Sequence, residues 1–270
     1  MDEMAPHDGS GGNRPQGAAA SLLNGLSVLE AFSHSTRTML GVTEISAAVG
    51  LHKSTVSRML TGLTEAGFVQ RDAESGRYRL GFGVIGLAGP LLADLDVRRA
   101  ALPLLEEMTK ETFETSAIAV WNGTNAVVVE QIASPHQVKH SSSIGTRYDK
   151  FASSSVRIFL SDFSRAEVDQ LITSGEIKRE GYLGLDDPIH DHLDDVRRDG
   201  IAVNDGETTF EEYGTSAPVR DYRGKQVGCI IASAPRSRVQ YRRSQDELES
   251  AVRRTASEVT VQLGGPVNES

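Results

Sequence analysis

The stretch 53–63 holds Lys53, Ser54, Thr55, Ser57, Arg58 and Thr61 together with Val56, Met59, Leu60 and Leu63. Wound as a helix, the four apolar residues form one stripe and the hydroxyls and cations lie mostly opposite, with Thr55 at the edge. Short hydroxyls suit hydrogen bonds to phosphates and base edges, lysine supplies counter-charge, and the arginine fork matches the edge of guanine. Such a face reads a DNA groove.

The preceding residues predict the element that presents it. Thr43 is a candidate cap for a short helix whose inward residues are Ile45 and Val49, and Gly50 stands where a helix needs a residue free to turn. The chain then turns over Leu51 and His52 into the polar-faced helix. One helix earlier, over 21–33, Leu22, Leu26, Leu29 and Phe32 recur at helical spacing and are expected to pack under the next two. After Gly67 the sequence GFVQRDAESGRYRLG predicts strand, turn, strand. In the second strand Tyr78 and Leu80 alternate with Arg77 and Arg79, so the arginines are expected to point out together as a basic wing. The alternative is a three-helix subdomain with a hairpin and ordinary solvated charges.

Charge distribution agrees with a groove reader. The chain has 270 residues and a net charge of −9, yet 21–83 has six Lys/Arg against five Asp/Glu, whereas 84–270 has 21 against 29. An acidic body with a locally basic tip repels DNA except where the tip docks, and its affinity should fall steeply with salt. Composition, 39% hydrophobic and 24% charged, is that of a globular protein, and no apolar run approaches a membrane span. The first twenty residues lack a secretory pattern and resemble a disordered lead-in. Cytoplasmic location is expected, without membrane attachment. The single cysteine, Cys229, excludes an internal disulfide.

Motifs for other chemistry are weaker. Gly81-Phe82-Gly83-Val84-Ile85-Gly86 matches the dinucleotide pattern G-x-G-x-x-G, but its strand belongs to a hairpin and no parallel strand follows at the right distance, so a wing-to-linker junction is the better reading. His190-Asp191-His192, with Asp186 and Asp187 upstream, would share a face in an extended segment and diverge by about 200° on a helix; the following Leu193, Val196 and Asp199 favour a helix. There is no G-x-S-x-G elbow and no nucleophile with an identifiable base, so no enzyme is expected. Neither cofactor nor metal is expected. Cys229 and Trp121 read as core residues.

Beyond the wing, Leu87 to Thr112 reads as a connecting helix, with Leu91, Leu95 and Leu102 among its apolar positions, a bend at Pro103, and Pro90 in the first turn of a helix restarted after Gly89. It is either a connector and dimer contact or a helix packed on its own domain. From Ser116 strands take over: 117–121 and 126–129 flank an Asn122-Gly123 turn, with 131–133 extending the second, and Val138–Ile144 is a further candidate. Gly145–Lys150 is polar. A helix through Val156, Phe159 and Leu160, surface helices over 167–172 and 192–199, strands at 201–203, 215–219 and 227–232, and a closing helix over 248–263 complete a mainly antiparallel sheet. Ser153, Ser154 and Ser155 place hydroxyls beside the unpaired N–H groups of a helix start, which suits a carboxylate.

Three stretches, LHKSTVSRMLTGLTEAGFVQRDAESGRYRLG, LLADLDVRRAALPLLEEMTKET and SAPVRDYRGKQVGCIIASAPRSRV, resemble the IclR-type bacterial transcriptional regulators, a likeness that covers about 21–265. The resemblance implies an α+β chain: an N-terminal winged helix-turn-helix, a linker helix, and a C-terminal GAF-like α/β effector-binding domain. It implies a dimer, or a dimer of dimers, on a double-stranded operator, switched by a small organic effector of anionic type. Boundaries are expected at 1–20 (lead-in), 21–83 (DNA-binding domain), 84–112 (linker), 113–265 (effector-binding domain) and 266–270 (frayed tail). DNA contacts are expected from Thr43, Lys53, Ser54, Thr55, Ser57, Arg58, Arg77 and Arg79. Carried over by position, the effector pocket would be lined by Ser153, Ser154, Ser155, Asn204, Asp205, Gly214, Thr215 and Ser216. The chain departs from the usual pattern at Phe151, at Val156-Arg157, where a Gly-Lys pair is common, and at Thr215-Ser216, where a cysteine is common. The competing reading is a metabolite-binding or catalytic α/β domain whose N-terminal module only dimerises.

Overall fold

The computed structural model describes residues 18–33, 35, 37–94, 96–179 and 188–266, with side chains at all of these except 18 and 89–94. The expected lead-in up to residue 17, the tail over 267–270, the side chains of Leu91 and Leu95, and Asp186 and Asp187 lie outside the described residues. The chain divides into two compact units between Pro90 and Leu91.

The first unit contains α1 (Ala18–Ser33), α2 (Val42–Val49), α3 (Lys53–Glu65), the antiparallel pair β1 (Val69–Arg71) and β2 (Tyr78–Leu80), and the start of α4 (Gly83–Asp94). Its core joins Val28, Ala31 and Phe32 of α1 to Ile45, Val56, Leu60, Val69 and Tyr78. The stripe expected on α1 is only half used: Leu22 and Leu26 are 67% and 50% exposed, because the residues that reach the core all come from the C-terminal half of the helix. Thr43 does not cap α2. The helix starts two residues earlier than a Thr43 cap would place it, Gly41 is its cap, and the Glu44 carboxylate accepts the Gly41 N–H at 2.7 Å, leaving Thr43 exposed in the first turn. Gly50 ends α2 at φ 67°, the left-handed region that glycine adopts without strain.

The hairpin is anchored at its root. Leu40 and Tyr78 exchange backbone hydrogen bonds of 2.9 and 2.8 Å, and the turn is closed by Asp72, which accepts the N–H and hydroxyl of Ser75. Gly81 and Gly83 donate their N–H groups to the carbonyls of Phe68 and Gly67, so closely that a methyl group on either would overlap the Gly67 carbonyl. The glycine pattern is thus a backbone contact between hairpin and α4. No restart occurs after Gly89: α4 already begins at Gly83 and runs through Pro90.

The second unit contains α5 (Asp96–Thr112), β3 (Thr115–Trp121), β4 (Ala126–Ile132), β5 (Arg147–Tyr148), α6 (Ser154–Leu160), α7 (Arg165–Thr173), α8 (Ile189–Asp199), β6 (Ala202–Asp205), β7 (Glu212–Arg220), β8 (Gln226–Pro235), α9 (Arg236–Arg242) and α10 (Gln245–Gln262). Six strands form one sheet in the order β5-β4-β3-β8-β7-β6, every neighbouring pair antiparallel. Alternation along each strand builds two cores. Ile118, Ala217, Val219 and Ile230 face α5 and α10, whereas Ala117, Ala119, Cys229 and Ile231 face α6, α7 and α8. Trp121 packs on Phe159 and Phe163, with ring centroids 5.4 and 5.8 Å away, and Pro103 lies exposed inside α5.

Val138–Ile144 is not a strand; the short β5 lies in the polar segment after it. Both apolar ends are exposed, and local side-chain bonds replace a ladder: Gln131 bonds Ser141 and the Ser142 N–H, and the Thr115 hydroxyl bonds the His140 carbonyl. Helix α9 was not anticipated.

Candidate DNA interface and effector site

Helix α3 is capped by His52, whose Nδ1 stands 2.8 Å from the Ser54 hydroxyl and 3.4 Å from the Ser54 N–H. Ser54 is therefore engaged at the helix start. Val56 and Leu60 are fully buried, and Lys53, Ser57, Arg58 and Thr61 are exposed with Thr55 at the edge. Among the described residues the side chains of Lys53, Thr55, Ser57 and Arg58 make no hydrogen bond or ion pair within the chain. Their polar groups are available to an external partner.

The two wing arginines part company. Arg79 is exposed, with Nε 3.2 Å from the Gln70 side chain. Arg77 lies just before β2 and reaches back to α2, where its guanidinium pairs with Glu44; Arg37 pairs with the same carboxylate at 2.6 Å. The Gly41 N–H and then Arg77 hold the Glu44 carboxyl below the usual glutamate range. Arg77 thus braces the hairpin against the helix-turn-helix and does not project beside Arg79. Arg71, not singled out in the sequence, is exposed with its guanidinium over the Tyr78 ring.

In the second unit, strand alternation sorts the residues expected around the effector. Ser154 and Ser216, sixty-two positions apart, bring their hydroxyls to 2.8 Å, both buried. Gly214 lies beside them: a methyl group there would touch the Ser154 hydroxyl at 3.5 Å and the Asn204 side chain at 3.8 Å. Ser153 caps α6 with its backbone, and Ser153 and Ser155 are buried. The first-turn N–H groups of α6 have no acceptor inside the helix. Asp205 and Thr215 do not join this cluster. Each occupies the opposite face of its strand from Asn204 and Ser216; Asp205 is half-exposed and bonded to Arg236 at 2.6 Å, and Thr215 is buried on the α10 side with Tyr213 and Ala217.

Glu207, Thr208 and Glu212 lie outside the set of residues expected around the effector, whereas Asn204 belongs to it. Asn204 organises the loop after β6: its side-chain oxygen accepts the N–H groups of Glu207 and Thr208, and its amide reaches the Thr208 hydroxyl, which donates to Glu212. An Asn-Asp-Gly run after a strand is a turn signal of this kind. Arg157, 5% exposed, gives its guanidinium to the carbonyls of Phe151, Ala152 and Val203 at 3.1, 2.9 and 3.0 Å and pairs with Glu207. Its sequence signal is a lone cation inside VRIFL. Burial pushes up the phenol of Tyr148, which is hydrogen-bonded to Ser142. Burial likewise pushes up the Cys229 thiol.

His190 and His192 stand two positions apart in the first turns of α8, directed about 200° apart. His190 bonds Asp169 at 2.9 Å. No group of three metal-ligating side chains gathers among the described residues, and no helix there is long and apolar enough to cross a membrane.

A helix-turn-helix with a hairpin wing, joined to a six-stranded antiparallel α/β domain, defines a DNA-binding transcriptional regulator with an effector-binding domain. Comparison with known proteins agrees throughout. Residues 21–73 match the IclR helix-turn-helix domain and 90–261 the bacterial transcriptional regulator IclR C-terminal domain. The chain belongs to the IclR family of transcriptional regulators, which is non-enzymatic. It is 30% identical over 217 residues to the HTH-type transcriptional regulator KipR of Bacillus subtilis, covering 79% of this chain and 85% of that one. It is 27% identical to the transcriptional repressor IclR of Escherichia coli, over 97% of this chain and 99% of the repressor. Among solved structures, a transcriptional regulator from Rhodococcus sp. RHA1 is 26% identical with a TM-score of 0.71, over 90% of this chain and 97% of that one. An IclR homologue from Microbacterium hydrocarbonoxydans, complexed with 4-hydroxybenzoate, shares the fold at a TM-score of 0.74 and 23% identity, over 90% of this chain and 98% of that one.

Proposed function

We propose that the chain binds a twofold operator as a dimer or dimer of dimers, with α3 in the major groove and the wing beside it, and that a small organic anion in the second unit switches it. The observation that carries the DNA reading is the face of Lys53, Ser57 and Arg58, exposed and, among the described residues, unpartnered opposite the buried Val56 and Leu60. Thr55 and Ser54 flank the base-reading face, and Thr43 and Arg79 serve as phosphate contacts. Arg77 acts through Glu44 as a brace. Dimerisation is supported by apolar side chains left in water on α1 and at the start of α4: Leu22, Leu23 and Leu26, and Phe82, Ile85 and Leu87, each at least 50% exposed. Selection from random duplex DNA by the full chain should enrich a sequence with two inverted half-sites. A pool that stays random would reject the reading, and an asymmetric single site would reject the dimer.

The effector reading rests on Ser153, Ser154, Ser155, Asn204, Gly214 and Ser216. Hydroxyls and first-turn N–H groups at the α6 start are donors suited to a carboxylate. Switching requires the effector to bind one placement of the DNA readers more tightly than the other. Ser154→Asp puts a carboxylate where the ligand's would sit. In calorimetry with a panel of small carboxylates that includes 4-hydroxybenzoate, any ligand bound by the wild type should lose at least about tenfold in affinity. The melting temperature is measured alongside, and Ser216→Ala provides a smaller perturbation of the same pair. Unchanged affinity in both folded variants would remove the site.

A further inference from the structure

A concavity of about 830 Å3 lies between the C-terminal end of α8 and the middle of α10, away from the serine cluster. It exists because the edge strand is short. β6 begins at Ala202, paired with Ser216, and β7 runs on to Arg220 with no neighbour on that side. Pro218 in that overhang has no N–H to offer a further strand. Small residues, Ala217, Pro218 and Ala256, line the cleft and leave room above the sheet.

Five arginines line the cleft, and Arg197, Arg198, Arg220 and Arg254 are each ion-paired to a carboxylate. Most are secured: Arg220 holds Asp162 at 2.7 and 3.0 Å, and Arg254 holds Glu111 at 2.5 Å. Arg253 is different. Its Nη1 donates to the carbonyl of Asp199, the last residue of α8; its guanidinium lies in the field of the Asp199 carboxylate but, among the described residues, makes no direct ion pair. Nε and Nη2 remain as donors. Ser257 stands one turn further along the same stripe of α10, and its hydroxyl has no hydrogen bond among the described residues.

We propose that this cleft is a second ligand site, which takes a small anion, a phosphorylated compound or a carboxylate, held chiefly by Arg253 and Ser257. Its volume lies within the roughly 300–1,000 Å3 of small-molecule pockets. The planar guanidinium offers paired donors that match phosphate and carboxylate oxygens. Because Arg253 also caps α8, a bound anion ties the end of that helix to α10. The site is independent of the serine cluster.

The test is calorimetry on the full chain at low salt with pyrophosphate and, separately, citrate. Saturable binding of either is expected, and which one binds identifies the anion class. Arg253→Glu and Ser257→Asp should each weaken it by at least about tenfold, whereas Ser154→Asp and Arg58→Ala, altered at the other two anion-accepting surfaces, should keep it. Arg253→Glu also removes a helix cap; Ser257→Asp breaks no hydrogen bond and keeps the test decisive if the first variant fails to fold. No binding of either anion to the wild type would overturn the proposal. So would loss in Ser154→Asp or Arg58→Ala with retention in Ser257→Asp.

Discussion

Arg58→Ala is expected to weaken binding of the full chain to its selected operator by on the order of 5- to 150-fold, about 1–3 kcal/mol, the usual worth of an arginine bonded to base edges. Arg58 is exposed on the polar face of α3 and has no hydrogen bond or ion pair among the described residues, so its removal breaks no contact there. Gel-shift titrations at several salt concentrations separate two roles. If Arg58 reads a base, affinity for the operator falls far more than affinity for random duplex. If it only touches phosphate, both fall together and the slope of log affinity against log salt drops by roughly 0.9. Unchanged affinity would remove α3 from the interface. Arg77→Ala should behave differently, lowering the stability of the first unit more than its intrinsic contact with DNA, because Arg77 is spent on Glu44.

The largest stability effect is expected at Arg157. Arg157→Met keeps the apolar stem but strips the carbonyls of Phe151, Ala152 and Val203 of their donor and leaves the Glu207 carboxylate, itself three-quarters buried, without its partner. Breaking one side of a buried ion pair costs on the order of 3–5 kcal/mol, more than the pair contributes, because the remaining charge is left desolvated. Urea unfolding followed by the fluorescence of Trp121, the single tryptophan, reports on this layer directly, since its ring packs on Phe159 of α6. Arg157→Met combined with Glu207→Leu should recover part of the loss by removing the stranded carboxylate. A single-variant cost below about 1 kcal/mol would mean that water already reaches the pair. Arg157 joins the segment that leads into α6, the edge strand β6 and the loop after it. The same variant should therefore weaken any ligand of the serine cluster.

Much of this was legible locally. The two faces of α3, the glycine that ends α2, the hairpin between β3 and β4 and the closing helix α10 all follow from periodicities and turn residues that act over a few positions. Where local signals were weak or ambiguous, expectation and structure diverge. The serine-rich Val138–Ile144 has apolar ends and strand length, but its polar side chains bond the backbone and dissolve the ladder. The α1 stripe is regular along its length, yet nothing in it tells which half has a core beneath it. The separation of Asn204 from Asp205, and of Ser216 from Thr215, was available from the twofold alternation of a strand; carrying residues over as adjacent pairs obscured it.

By itself, then, the sequence determined most of the helices and strands, which face of α3 is polar, and that positive charge gathers in 21–83 of an acidic chain, because each depends on spacing or composition. Tertiary structure decided which of those groups are free. Arg77 and Glu44 are thirty-three positions apart, Ser154 and Ser216 sixty-two, and Arg157 and Val203 forty-six. Whether a cation faces DNA or braces a hairpin, and whether two serines share a site, depends on which distant residue folding brings within about 3 Å, and no local pattern encodes that distance.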